Sequence, residues 1–181
     1  MVQNVLSCLV TGMRIPGCLA VLAAALGLAA CSTAPTPVVK ERTNLQLRMT
    51  ASDHVNPNEW GEAAPILIRV YELKSATAFE TADYFTLQSD ARKAIADDAL
   101  VVDEFILRPG DERDLIRKSN PATTAIGVLA GYRDLGKSVW RAVYRLPSAP
   151  DASWYRTVLP NKKQKLILRF DRNAVSISKS D

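Results

Sequence analysis

The chain has 181 residues, three cysteines, one histidine, and 23 basic against 19 acidic residues, a formal charge of +4. That length holds one domain with a proper core rather than two. A mild, scattered positive charge demands no acidic partner and argues against nucleic-acid binding. The one lysine run, Lys162, Lys163 and Lys165, reads as a solvated turn and strand edge.

The N-terminus is read first as a signal. Met13-Arg14 precedes an uncharged run of Ala, Leu, Val and Gly over residues 18–30, which ends in Leu28-Ala29-Ala30-Cys31. Charge, apolar core and small residues are the form of a secretory signal. Residues 1–12 carry no charge, so Met13 competes with Met1 as the start. The uncharged stretch 15–34 is long enough on paper for a membrane span. Its Ala and Gly content and a proline near each end fit a signal core better, and an ordinary secreted protein is the third alternative. The box before Cys31 resembles the bacterial lipoprotein signal, in which the chain is cut before the cysteine and the thiol carries a diacylglyceryl group. That resemblance implies lipidation at Cys31, and Ser32, rather than Asp, implies sorting to the outer membrane.

Removal of residues 1–30 leaves 151 residues with 22 basic and 19 acidic side chains, +3, and Cys31 as the only cysteine. No disulfide is then possible, so the fold must be held by its core. Residues 31–42 form a lipidated tether, rich in proline and small polar residues over 32–41. Fully extended, it spans roughly 30 Å at about 3.3 Å per residue. A β-domain follows over 43–181.

In that domain, Leu45, Leu47 and Met49 alternate with polar residues as a half-buried strand does. Residues 51–64 then make a long polar loop containing Asn56-Pro57-Asn58, Gly61 and a lone large apolar residue, Trp60. Such a loop is a candidate binding element. The alternative for Trp60 is folding back to cover a sheet edge. Residues 65–73 are a strand apolar on both faces, Ile66, Ile68 and Val70 against Leu67, Tyr71 and Leu73, and so belong in the interior.

Residues 75–98 change to three and four spacing, which predicts one or two short helices beside the sheet, docked by Phe79, Tyr84 and Phe85. Strands return at 101–107 and 113–117, joined by the Arg108-Pro109-Gly110-Asp111 turn. Residues 125–133 predict a central strand in which Gly127 and Gly131 allow close backbone approach. A turn at 134–137, a strand at 139–146, a loop at 147–153, a short piece at 154–159, a turn at 160–163 and strands at 165–171 and 174–178 complete the chain. About eight short strands with one helical insertion after the second predict a mainly β, two-sheet antiparallel sandwich.

No catalytic constellation appears. His54 stands without a second histidine or ligand-spaced cysteines, and zinc needs three or four ligands. A serine triad would need His54 too, and the chain has no GxSxG elbow. The glycines are too scattered for a phosphate loop. Asp97-Asp98 and Asp103-Glu104 read as an exposed helix end and a strand edge rather than acid/base pairs. The expectation is no enzyme, no metal and no cofactor, but a binding or scaffolding protein.

The order of residues 68–74 (IRVYELK), Phe79, residues 82–85 (ADYF), residues 107–110 (LRPG), residues 126–134 (IGVLAGYRD) and Trp140-Arg141 resembles the outer-membrane lipoprotein of the type VI secretion system, the TssJ/VasD family. The resemblance covers nearly all of the mature chain. It implies a transthyretin-like two-sheet sandwich with a small helical addition, tethered by Cys31 to the periplasmic side of the outer membrane. It also implies a partner, the periplasmic C-terminal part of the large inner-membrane IcmF-like subunit, contacted through the loop between the first two strands. Here that loop offers His54, Asn56, Asn58, Glu59, Trp60 and Gly61 as candidate contacts. The alternative is a periplasm-facing lipoprotein that binds a small ligand or inhibits a foreign enzyme. A carbohydrate-active enzyme would need two carboxylates across one cleft.

Overall fold

Alternating apolar residues become the inward faces of two sheets. The computed structural model describes residues 40–95, 97–148 and 163–180. Cys31, most of the tether, and the short piece and most of the turn expected over 154–163 lie outside the described residues. Strand β1 (Asn44–Ala51) is followed by β2 (Ile66–Leu73), helices α1 (Thr77–Thr81) and α2 (Tyr84–Ala94), then β3 (Ala99–Leu107), β4 (Glu112–Lys118) and β5 (Ala125–Ala130). A 3-10 turn at Leu135–Lys137 leads to β6 (Arg141–Arg145), and β7 (Lys163–Phe170) and β8 (Val175–Lys179) follow. The first sheet has the order β4-β1-β7-β8 and the second β3-β2-β5-β6.

The predicted two-sheet sandwich is present, with the helical insertion directly after β2. One pair departs from antiparallel order: β1 and β7 run parallel, from Asn44 beside Lys163 to Ala51 beside Phe170. Strands so distant in sequence share no short turn, so nothing in the connection imposes an antiparallel pairing.

Two apolar clusters carry the fold. The inner one lies between the sheets and takes Leu45, Leu47 and Met49 from β1, Ile66, Ile68 and Val70 from β2, and Leu166, Leu168 and Phe170 from β7. The outer one lies between the second sheet and the helices, where Tyr71, Leu73 and Leu129 meet Phe79, Tyr84 and Leu87. Strand β2 is therefore buried on both faces, as its two-sided apolar pattern predicts. Each fully buried Leu or Ile stabilises by about 1.5–3 kcal/mol relative to exposure.

Gly127 makes the predicted close approach: a Cβ there would lie 2.9 Å from both Leu73 Cδ1 and Phe79 Cε1, so the Phe79 ring rests on bare backbone. Arg141 Nη1 donates to the carbonyls of Phe79 at 2.9 Å and Ala82 at 2.8 Å, which ties the end of α1 to β6. Arg69 Nη1 donates to the Gln88 carbonyl at 2.6 Å, holding α2 to β2.

Three expectations are corrected. Phe85 is 68 % exposed and does not dock, because adjacent helical positions point about 100° apart and Tyr84 already faces the sheet with Leu87 three residues on. β5 ends at Ala130 rather than 133; the Gly131 N–H donates to the Leu67 carbonyl, and Tyr132 turns inward. β6 begins at Arg141 rather than 139, since Val139 leaves the ladder to form a parallel bridge with Ala174.

At the end where β1 starts, the inner face closes on charge rather than carbon. Glu72 continues the Ile66, Ile68, Val70 face and is fully buried. Arg117 Nε lies 2.7 Å from its Oε1, in a contact that is ionic rather than a well-aimed hydrogen bond. Oε2 accepts from the Asn120 N–H at 2.8 Å and Thr123 Oγ1 at 2.7 Å. Arg117 also pairs with Asp103 of β3, while Arg113 stacks over Phe105 at 4.6 Å. Asp103 and Glu104 are thus engaged in ion pairs, Glu104 with Arg69 at 2.7 Å. The Arg117–Asp103 and Arg113–Phe105 contacts join the two edge strands β3 and β4.

Candidate functional site: the loop pole

Strand directions gather four connections at one end of the sandwich: the β1–β2 loop (52–65), the β3–β4 turn, the β5–β6 segment (131–140) and the β7–β8 turn (171–174). β1 starts at the opposite end. Its eight residues at about 3.3 Å each set the two ends roughly 25 Å apart.

The loop is built, not slack. Val55 is fully buried and anchors it. Asn56 is 3 % exposed and sits at φ +49°, a left-handed conformation that asparagine tolerates better than most residues. Its Nδ2 donates to the Pro65 carbonyl at 2.9 Å, and its Oδ1 accepts from the Arg133 N–H at 2.8 Å. Its own N–H donates to the Arg172 carbonyl at 3.1 Å. One side chain and one amide therefore lace three connections together. Beside them Tyr132, buried, donates its O–H to the Asp171 carbonyl at 3.1 Å, and burial pushes its pKa well above the usual tyrosine value.

Beyond Asn56 the chain makes a tight turn organised by Asn58. Its Oδ1 accepts from the N–H groups of Trp60 at 3.0 Å and Glu62 at 2.9 Å, and its Nδ2 donates to Glu62 Oε2 at 2.9 Å. Gly61 takes φ +81°, where a side chain would be strained. The product of this turn is Trp60 held in solvent, 83 % exposed. An indole that covered a sheet edge would be buried, so the edge-covering alternative is overturned.

The six loop residues singled out from the sequence thus divide. Trp60, Glu59 and His54 present exposed side chains, and Gly61 exposed backbone. Asn58 shapes the turn. Asn56 is spent internally: it is buried, and its side-chain amide and its N–H are bonded within the fold. A cleft of about 680 Å³ opens between the loop and its neighbours, with Arg133, Lys137, Arg172 and Asn173 as lining residues that the sequence reading missed. They come from connections far apart in the chain, and no spacing rule links them. Among the described residues no three metal-ligating side chains converge, and no helix is long and apolar enough to cross a membrane.

This fold has known counterparts. Residues 43–174 match the family model of the type VI secretion lipoproteins, VasD, EvfM and TssJ. The crystal structure of the type VI lipoprotein TssJ1 from Pseudomonas aeruginosa is 34 % identical, with TM-score 0.69 over 77 % of this chain and 98 % of that one. Lip from Serratia marcescens, a membrane-bound component of the type VI secretion system, is 27 % identical, with TM-score 0.64 over the same shares. A structure described as the TssM C-terminal domain from EAEC aligns at 19 % identity and TM-score 0.54 over 76 % of this chain and 98 % of that one, a likeness of fold alone. No curated protein matches the chain. A model match that starts at the first strand of the sandwich and runs to the β7–β8 turn, with a relative above 30 % identity, places this chain in the type VI secretion lipoprotein family.

Proposed function

We propose that this protein is an outer-membrane lipoprotein whose loop pole holds the periplasmic C-terminal part of the inner-membrane IcmF-like subunit, anchoring the trans-envelope complex of a type VI secretion system. Residues 1–30 are the signal, Cys31 carries the acyl chains, and 31–42 is the tether to the domain at 43–181. Each buried methylene contributes about 0.8 kcal/mol, so more than one chain gives stable anchoring. The observation that carries the reading is Trp60, a large apolar side chain held in solvent by a rigid turn at the end away from where β1 starts. An exposed, pre-ordered tryptophan binds at little entropic cost and is the residue type most enriched among interface anchors. The partner is the one that membership of the type VI secretion lipoprotein family implies. The role is mechanical: lipid to membrane at one end, loop to partner at the other, with no bond made or broken.

The test is affinity purification of the tagged full-length protein from its own envelope, with mass spectrometry of the N-terminal peptide and of whatever accompanies it. An acylated Cys31 peptide together with the IcmF-like subunit is expected. The Cys31→Ser variant should yield a folded domain that leaves the membrane, abolishes secretion and still binds the partner in solution. Recovery of the acylated peptide with an unrelated enzyme instead would move the reading to an inhibitor lipoprotein.

A further inference from the structure

We infer that the cleft beside Trp60 receives a carboxylate-bearing segment of the partner through Arg133 and Arg172; this rests on the partner-binding reading above. The cleft sets Arg133, Lys137 and Arg172 against Glu59 and Asp134. Lys137 lies 3.5 Å from Asp134, which leaves two guanidinium groups facing a single carboxylate, Glu59. Among the described residues neither guanidinium has a hydrogen bond or an ion pair. Four other arginines are paired, Arg48 with Asp114, Arg69 with Glu104, Arg117 with Glu72 and Arg145 with Glu80, while Arg42, Arg108 and Arg169 have no ion pair among the described residues; what sets the cleft apart is two such arginines in one concavity. A second concavity, of about 360 Å³ on the first sheet, balances Arg48 and Arg169 with Glu112 and Asp171.

The two arginines are also pre-positioned. The Arg133 N–H and the Arg172 carbonyl both bond to Asn56, and the preceding residues, Tyr132 and Asp171, are joined by their own hydrogen bond. The backbones that carry the two side chains are therefore locked to each other and to the loop that presents Trp60. A guanidinium offers two parallel N–H donors that match a carboxylate, so an acidic stretch of polypeptide is the chemistry that completes this site. Trp60 would supply apolar area beside it, and the arginines register and charge selection.

The experiment measures binding of the mature chain to the purified periplasmic C-terminal part of the IcmF-like subunit at about 50 and about 500 mM sodium chloride, a range over which exposed charge pairs are progressively screened. Wild-type affinity should fall with salt. The Arg133→Gln/Arg172→Gln double variant should bind about tenfold more weakly at low salt, the size of two partly exposed ion pairs together, and should lose most of its salt dependence while its melting temperature is unchanged. A Lys163→Gln/Lys165→Gln control, which removes the same charge from exposed positions at the other end of the molecule, should stay within about twofold of wild type. Wild-type-like binding by the arginine variant, or an equal loss in the lysine control, overturns the inference and leaves the partner reading standing. No binding by the wild type overturns both.

Discussion

The two ends of the sandwich treat arginine in opposite ways. Where β1 begins, Arg117 is sunk between the sheets and matched by Glu72 and Asp103, with Asn120 and Thr123 satisfying the remaining Glu72 oxygen. Where β1 ends, Arg133 and Arg172 line an open cleft without partners among the described residues, and Trp60, which follows the cleft residue Glu59 in the chain, is left uncovered. A buried cation must be answered inside the protein because an isolated charge out of water costs several kcal/mol. An exposed one is hydrated and remains available. Identical side chains thus serve the fold at one end and stay in solvent at the other, and burial makes the difference.

The strongest way to break this contrast is Arg117→Ala, which strands the Glu72 carboxylate in the core. A loss of roughly 3–5 kcal/mol of folding stability is expected, read by chemical denaturation, with partner affinity of the remaining folded protein unchanged. A loss below about 1 kcal/mol would mean that water reaches Glu72 and that this end is not sealed.

Trp60→Ala tests the other end. With 83 % of its surface exposed, Trp60 has little to contribute to the folded state, so stability should move by no more than about 0.5 kcal/mol. Partner affinity should fall by about 1–4 kcal/mol in a binding titration. A lowered melting temperature with unchanged affinity would reverse the assignment.

The smallest effect concerns the lacing of the loop pole and depends on pH. Burial raises the pKa of Tyr132 above its unfolded value of about 10. A raised folded pKa contributes stability that is fully present below the unfolded pKa and is lost as pH rises towards and through the folded one. Denaturation curves should therefore show stability declining above about pH 10. Tyr71 and Tyr84, also shifted upward by burial, add to the decline. Tyr132→Phe should cost about 1 kcal/mol at neutral pH through the lost bond to the Asp171 carbonyl, and should flatten the alkaline limb. An alkaline limb as steep as that of the wild type would remove Tyr132 from this account.

Period-two alternation in residues 45–49 and the two-sided apolar run at 65–73 determined, by themselves, which residues face the core and which strand lies inside. The change to helical spacing after Ser75 located the insertion, and the spacing of glycines around residue 127 announced a close approach that the Phe79 ring fills. Such features are local, because they follow from which way successive side chains point. The parallel pairing of β1 with β7, the exposure of Phe85 and the fate of the loop asparagines were decided only by tertiary structure. Asn56 and Asn58 look alike in sequence, yet one is buried holding three connections and the other shapes a turn at the surface. The cleft depended on it most of all. Glu59, Arg133 and Arg172 lie on three separate connections, and only the stacking of two sheets brings their chain ends to one place.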